Sequence, residues 1–307
     1  MVDCPRISVV IPCYKGARYL PEAIESCLRQ TMSDFEVIVV DDASPDQCAE
    51  IAARYASQDK RVQLIKRPAN GGVSAAFNTG FAAAKGAYHT RLAQDDTFTE
   101  DALASFCDFL AANPAVGLVY CDFQHIDETG KTVSHVCPPN NAERALLKGN
   151  RLGLCVAWRR EVWDAIGEFH SEFDAAEDYE YWLRVWDRFP IQKLENKTLM
   201  RFRVHERMGS LVHCGRQERA TLKALREQYP TNLPRIRRAF LRRAAIGWAR
   251  YSASFDYRRQ GHHWIALWRL IQSFIAWPLP YKRGEVRTRF TRFKSLCSFV
   301  LSAGRSP

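Results

Sequence analysis

The chain has 307 residues, 47% of them hydrophobic, 12% aromatic and 25% charged, with a formal net charge of +10. This composition excludes a disordered chain, a collagen-like repeat and a disulfide-stapled miniprotein, and the length suits one large domain with an appendage, or two domains. The charge is uneven: residues 231–307 hold 16 Lys and Arg against Asp256 and Glu285 (+14), while the remainder holds 28 basic and 32 acidic residues (−4), an asymmetry that points to an anionic partner.

The run Ile7-Ser8-Val9-Val10-Ile11 predicts a buried parallel strand, with Pro12-Cys13-Tyr14 in the loop at its carboxyl end. A helix follows, with Pro21 in its first turn and Leu20, Ile24, Cys27 and Leu28 on one face. Phe35 to Val40 is a second strand ending in Asp41-Asp42. Cys48 to Ser57 is a helix, and Val62 to Ile65 is a third strand. Gly71-Gly72 leads into a helix carrying Val73, Ala76, Phe77 and Phe81, which stops at Gly86. The stretch Gly86 to Leu92 then reads as a fourth strand, which delivers Gln94-Asp95-Asp96.

Such strand–helix alternation predicts an open parallel sheet with helices on both faces and ligands beyond the strands' carboxyl ends. Two adjacent carboxylates at the end of a buried strand need something positive against them, and a divalent metal carrying a phosphate-bearing ligand suits their hard oxygens. A helix cap is the alternative, because Asp96 also opens a helical stretch. Asp41, Asp42, Asp95 and Asp96 all fall at strand ends, and that shared location favours the ligand site.

The second half is less regular. Ala115 to Tyr120 is a strand, Thr129-Gly130-Lys131 a turn, Cys155 to Trp158 a strand, and Arg160 to Ile166 a helix. Glu177 to Trp186 is a helix whose first turn is acidic, and the helix dipole alone gives Glu177-Asp178 a structural reading. Ten cysteines without a CxxC pair, several at apolar positions, predict mostly buried reduced thiols of a cytosolic protein. The first residues lack a signal peptide's apolar segment, and no apolar run is long enough to span a bilayer.

Four blocks in order carry a family resemblance. They are Val9 to Gly16 followed by Leu20 to Ser26; Val39-Val40-Asp41-Asp42-Ala43-Ser44; Asn70 to Gly80 continuing to the Asp pair; and Gly167-Glu168-Phe169, Glu177-Asp178 and Phe202-Arg203-Val204-His205. Together they resemble the inverting GT-A fold glycosyltransferases of family 2, over about Ile7 to Ser210. The resemblance implies an α/β GT-A fold: a Rossmann-like, mostly parallel sheet flanked by helices. Residues 1–115 would form the nucleotide-sugar half, 116–230 the acceptor half, and 231–307 a basic helical extension.

The resemblance also implies roles. Pro12, Tyr14 and Asn70 would line the nucleotide pocket, Asp42 would hydrogen-bond the base, and Asp95 would face the ribose or the metal. Asp96 would bind Mn²⁺ or Mg²⁺. Asp178 would be the general base, with Glu177 as the second candidate. Arg203 would close over the diphosphate, and His205 would be a metal ligand or a hydrogen-bonded loop residue. The donor would be a nucleotide diphosphate sugar, a UDP-sugar first. The acceptor would be a glycan or lipid-linked hydroxyl in cell-surface polysaccharide synthesis. Three positions depart from the pattern: Ala93 replaces a frequent carboxylate, Phe77 a frequent basic residue, and His170 a frequent Asp. The first two leave ribose and phosphate contacts open, and the third bears on acceptor specificity.

In the tail, Trp264, Leu267, Trp268, Ile271, Phe274 and Ile275 lie at helical spacing on one face, and Pro278 and Pro280 predict the helix end. Residues 286–301 again mix Arg and Lys with Phe. Basic amphipathic helices of this kind suit an anionic membrane surface, here the inner face of the plasma membrane, while a helical bundle packed on the catalytic domain is the alternative. No nucleic-acid motif is present, so no nucleic-acid partner is expected. Two other functions stay open: a nucleotidyltransferase making nucleotide sugars, which would want a Gly-rich phosphate loop after the first strand, and a degenerate membrane-bound nucleotide-binding module. Retention of Asp96, Asp178 and His205 speaks against the latter.

Overall fold

Continuous apolar runs become strands buried on both faces. In the computed structural model, which describes residues 4–147, 150–205 and 214–277, β1 (Ile7–Cys13), β2 (Phe35–Asp41), β3 (Val62–Lys66) and β4 (Tyr88–Arg91) run parallel. Their connections are α1 (Leu20–Leu28), α2 (Cys48–Gln58) and α3 (Val73–Ala83). The period of two sends Val10, Ile38 and Val40 to one face, with Phe77, Phe81, Trp158 and Trp182. It sends Val9, Ile11, Val37 and Val39 to the other, with Ile24 and Phe106.

The chain continues through β5 (Thr97–Phe98), α4 (Ala102–Ala112), β6 (Leu118–Ile126), β7 (Thr132–Val136), α5 (Ala142–Leu147), β8 (Val156–Arg159) and α6 (Arg160–Ile166). A 3₁₀ turn at Ser171–Phe173 precedes α7 (Glu177–Arg188), β9 (Ile191–Arg203), α8 (Cys214–Glu227), α9 (Arg235–Arg259) and α10 (His263–Ala276). The strands form one sheet in the order β3-β2-β1-β4-β8-β6-β9-β5, with β7 paired to β6. Beyond β4 the sheet is mixed rather than mostly parallel. The β4–β8, β8–β6, β6–β7 and β9–β5 pairs are antiparallel, and β6–β9 is parallel. The tight turn at Gly130 can join β6 and β7 only in antiparallel sense. The predicted boundary between residues 115 and 116 lies in the loop between α4 and β6, and strands from both sides of it share one sheet.

Helix α3 lies unusually close on the sheet. A Cβ added at Gly80 would sit 2.3 Å from Val10 Cγ1 and 3.1 Å from Val40 Cγ2. At its N-cap, Gly72 has φ +86°, a conformation that glycine adopts without strain.

The helical extension is built into the body. Leu241, Ala245 and Ala249 of α9 belong to the same core cluster as Trp158 and Trp182. Helix α10 packs on α9 through Ala266 and Leu270 against Tyr251, with Leu267 and Phe274 partly buried there. The apolar face predicted for this helix is thus divided. Trp264 (77% exposed), Trp268 (53%) and Ile275 (63%) form an outward stripe. The stops at Pro278 and Pro280 and the segment 286–301 lie outside the described residues. Among the described residues no helix is long and apolar enough to cross a membrane.

The cysteine expectation needs one correction. The β1–α2 crossing brings Cys13 and Cys48, 35 residues apart in sequence, to a Cα–Cα distance of 6.6 Å, where they are joined as a disulfide. Cys27, Cys107, Cys121 and Cys155 are buried free thiols, as expected, while Cys4 and Cys137 are exposed.

Candidate active site

The parallel register places Cys13 beside Asp41, so the loops after β1, β2 and β4 open at one end of the sheet. There a cleft of about 980 Å³ is lined by Pro12, Tyr14, Asp42, Asn70, Asp95, Asp96, Glu177 and Asp178. Eight of the ten residues singled out in the sequence therefore share one cavity. Arg203 and His205 are not among its lining residues.

Two loops are fastened to each other at the mouth. Tyr14 N–H donates to Gln94 Oε1 at 2.9 Å, and Gln94 Nε2 donates to Tyr14 O at 3.1 Å. Asp42 organises the next loop. Its carboxylate accepts the N–H groups of Gly71 (3.1 Å) and Gly72 (2.9 Å) and pairs with Arg67. Asn70 Nδ2 donates to Asp42 O at 3.3 Å. Lys15, Ala43 and Ala175 all hold positive φ without being glycine, and each adjoins or lines the cleft. Strain of this kind collects at functional sites.

The two acidic loop residues have different surroundings. Asp96 is buried. Its Oδ1 accepts the Arg203 N–H at 2.9 Å, and its Oδ2 is buried without a partner among the described residues. Burial and the neighbouring Asp95 push the Asp96 pKa well above the ordinary range, while Arg91 and Arg203 oppose that shift. Asp95 Oδ2 meets His205 Nε2 at 2.8 Å, so His205 is bonded to Asp95 rather than to Asp96. Among the described residues no three His, Cys, Asp or Glu side chains are gathered as a ready metal cage. The orphaned buried oxygen of Asp96, with a carboxylate and an imidazole beside it, is nonetheless a donor set that fits a hard divalent cation completed by phosphate and water.

Arg203, expected at the diphosphate, is buried and is not among the residues lining the cleft. Its side chain is 1% exposed and spends its donors on protein: Asp95 O (3.0 Å), Glu128 O (3.1 Å), Asp127 O (3.3 Å) and the Glu22 carboxylate. Its guanidinium lies 4.6 Å from the Tyr19 ring centroid. Strand β9 ends by turning this side chain into the body, where it braces the acidic loop.

Across the cleft, α7 begins with Glu177 and Asp178. The sequence reading missed their partner, Arg91, at the end of β4. Arg91 lies 3.2 Å from Asp178 and 3.8 Å from Glu177. The signal was available: a cation on a buried strand needs a partner. Asp178 Oδ1 also accepts the Tyr179 N–H at 2.7 Å, which fixes its rotamer. Burial and the Asp178 charge raise the Glu177 pKa to about 7, with Arg91 opposing. Phe77 is a buried ring beneath Arg91, whose guanidinium is 5.4 Å from its centroid. His170 contacts Glu180 at 3.1 Å and is not among the residues lining the cleft. Asp174, also missed, lines the cleft and accepts from Ser74.

Comparisons with known proteins bear on the family and the fold. The model of glycosyl transferase family 2 matches residues 8–163. A relative in Rickettsia felis, described as an uncharacterized glycosyltransferase, is 29% identical over 220 residues, covering 68% of this chain and 36% of its own length. The chain thus spans about a third of that relative. The S. aureus TarS 1–349 structure in complex with UDP-GlcNAc superposes with a TM-score of 0.65 at 17% identity, covering 88% of this chain and 81% of that one. The mannosyltransferase PcManGT from Pyrobaculum calidifontis, in complex with GDP-Man and Mn²⁺, gives 0.61 at 20% identity, covering 98% and 86%. Likeness at these identities is likeness of fold. With the family model extending over half of its length and a GT-A sheet carrying the acidic cleft, the chain belongs to glycosyl transferase family 2.

Proposed function

We propose that the chain moves a sugar from a nucleotide diphosphate sugar, a UDP-sugar first, to a hydroxyl of a glycan or lipid-linked acceptor with inversion, in cell-surface polysaccharide synthesis. One observation carries this reading: Asp178, held by Arg91, lines the same cleft as the Asp95-Asp96 pair. Neighbouring folds captured with UDP-GlcNAc and with GDP-Man and Mn²⁺ support the donor class.

In this reading Pro12, Tyr14 and Asn70 receive the nucleoside. Asp42 holds the Gly71-Gly72 loop in place beside it. Asp178 takes the proton from the acceptor hydroxyl as that oxygen bonds the anomeric carbon. The nucleoside diphosphate leaves from the opposite face with the bonding electron pair, which inverts the centre. The bonds from Arg91 and the Tyr179 N–H orient the Asp178 carboxylate before the acceptor arrives. Arg91 is also a buried cation that pairs with Asp178 and acts electrostatically on Asp96, and in this reading it supplies positive charge inside the cleft. Asp96, with Asp95 and His205, would hold Mn²⁺ or Mg²⁺. The ion would supply charge stabilisation to the departing diphosphate.

The same reading places the chain on the cytoplasmic face of an anionic membrane. Its support is the exposed Trp264–Trp268–Ile275 stripe together with exposed Arg235, Arg237 and Arg242 on the preceding helix.

Thermal shift with UDP-, GDP-, ADP- and CDP-sugars plus Mn²⁺ tests the donor assignment, with a shift expected for UDP. Asp178→Asn should keep that shift and lose about 10²–10⁴-fold in transfer. Near-full turnover by the variant would overturn the base assignment.

A further inference from the structure

The cleft does not end at Asp178. Another part of its lining comes from the helical extension, through Trp248, Ser252 and Asp256 of α9. These three are spaced four apart, so they follow one another along one face of the helix. Ala249 and Ala253 line the cavity beside them. With no atoms beyond Cβ, they leave a trough that has an aromatic ring at one end and a carboxylate at the other.

Packing fixes the aromatic end of the trough. Trp248 packs on the Tyr251–Ala266–Leu270 cluster, with its ring centroid 5.3 Å from that of Tyr251. Asp256 is half-buried. Burial raises its pKa, and Arg259 opposes the rise. An indole, a hydroxyl and a carboxylate along an open trough match the chemistry of a pyranose. The sugar's apolar face covers an aromatic ring, and its neighbouring hydroxyls donate to a carboxylate. The volume of about 980 Å³ is at the upper end for a single small ligand, which leaves room for two reactants side by side.

We propose that Trp248, Ser252 and Asp256 form the acceptor subsite, receiving the pyranose unit whose free hydroxyl meets Asp178. The proposal rests on the reading of Asp178 as the general base and makes the extension part of the specificity machinery. Specificity for the acceptor then resides in residues beyond the segment that the family model matches.

Saturation-transfer NMR of the full chain with a panel of methyl glycosides tests binding without any need for transfer. Wild type is expected to give saccharide signals that UDP with Mn²⁺ does not abolish. Trp248→Ala should weaken that binding about tenfold, the ratio a stacking contact of this kind carries. Trp248→Phe should restore most of it. Asp256→Asn should weaken binding of the same glycosides. Ser252→Trp fills the trough from an exposed helix position, so it tests the site even if Trp248→Ala folds poorly. All variants should keep the wild-type thermal shift with UDP. Absence of saccharide signals in wild type, or unchanged signals in both Trp248→Ala and Ser252→Trp, overturns the subsite. Absence of a UDP shift with the saccharide results as expected overturns the donor reading and leaves the subsite standing.

Discussion

Replacing Glu177 by Gln is expected to stabilise the protein above neutral pH and leave it little changed in acid. Glu177 is buried at the start of α7, next to Asp178, with Arg91 3.8 Å away and the Ala175 N–H donating to it at 3.1 Å. Burial and Asp178 raise its pKa from 4.5 to about 7. The folded protein therefore holds this proton more tightly than the unfolded chain does. The associated stability is complete below the unfolded-state value and is lost as pH rises through that window. The interval corresponds to about 3 kcal/mol. Gln keeps the shape, still accepts the Ala175 N–H and cannot ionise, so it should recover up to that amount. For a chain of 307 residues the gain is about 5 °C in Tm. Scanning fluorimetry at about pH 8 and about pH 5 brackets the titration. An unchanged or lowered Tm for the variant on the alkaline side would refute the reasoning, because Arg91 would then be compensating both carboxylates. The result also bears on the chemistry. A Glu177 that retains its proton near neutrality leaves Arg91 to pair with Asp178, the general base of this reading.

Asp96→Asn should weaken UDP binding in Mn²⁺ by at least about tenfold, measured by calorimetry with and without the ion; equal affinities under both conditions would remove the metal role. Arg203→Met should destabilise the fold by about 1–3 kcal/mol, because it takes the side-chain donor from the Asp95, Asp127 and Glu128 carbonyls, while Glu22 is exposed enough to return to water. Full stability in urea melts combined with weakened UDP binding would restore Arg203 to the diphosphate. Trp264→Glu with Trp268→Glu should reduce co-sedimentation with anionic vesicles. Undiminished pelleting would sink the membrane assignment. This pair is a cleaner test than deleting residues 231–307, since Leu241, Ala245 and Ala249 are part of the main core.

The first four strands, their helices and the acidic positions are legible in the sequence because each is a local pattern: an apolar run, a helical period, a turn pair. What fails to show is set by contacts between distant segments. Strand β9 carries Glu195, Asn196 and Lys197 at its centre and lacks an apolar run, and it is a strand because it pairs with β6 on one side and β5 on the other. Arg203 sits in a motif that suggests phosphate contact, but the direction of its side chain is decided by Glu22, 181 residues earlier. Arg91 is visible as a residue, yet its partners are 86 and 87 positions away. The reach of α9 into the cleft has no local signature, since Ala249, Ser252 and Ala253 look like ordinary helix-packing residues.

The close seating of α3 on the sheet has a consequence for how variants of this protein will be interpreted. The helix that approaches Val10 and Val40 at Gly80 begins, two turns earlier, with Gly72 and Val73 on the cleft wall. A single methyl group at position 80 would lift that end of the helix and carry the loop gripped by Asp42 with it. An inactive variant with every cleft residue intact would then arise from a change that touches no ligand. A catalogue of active-site substitutions would overlook it, so screens for loss of function should include this buried seam.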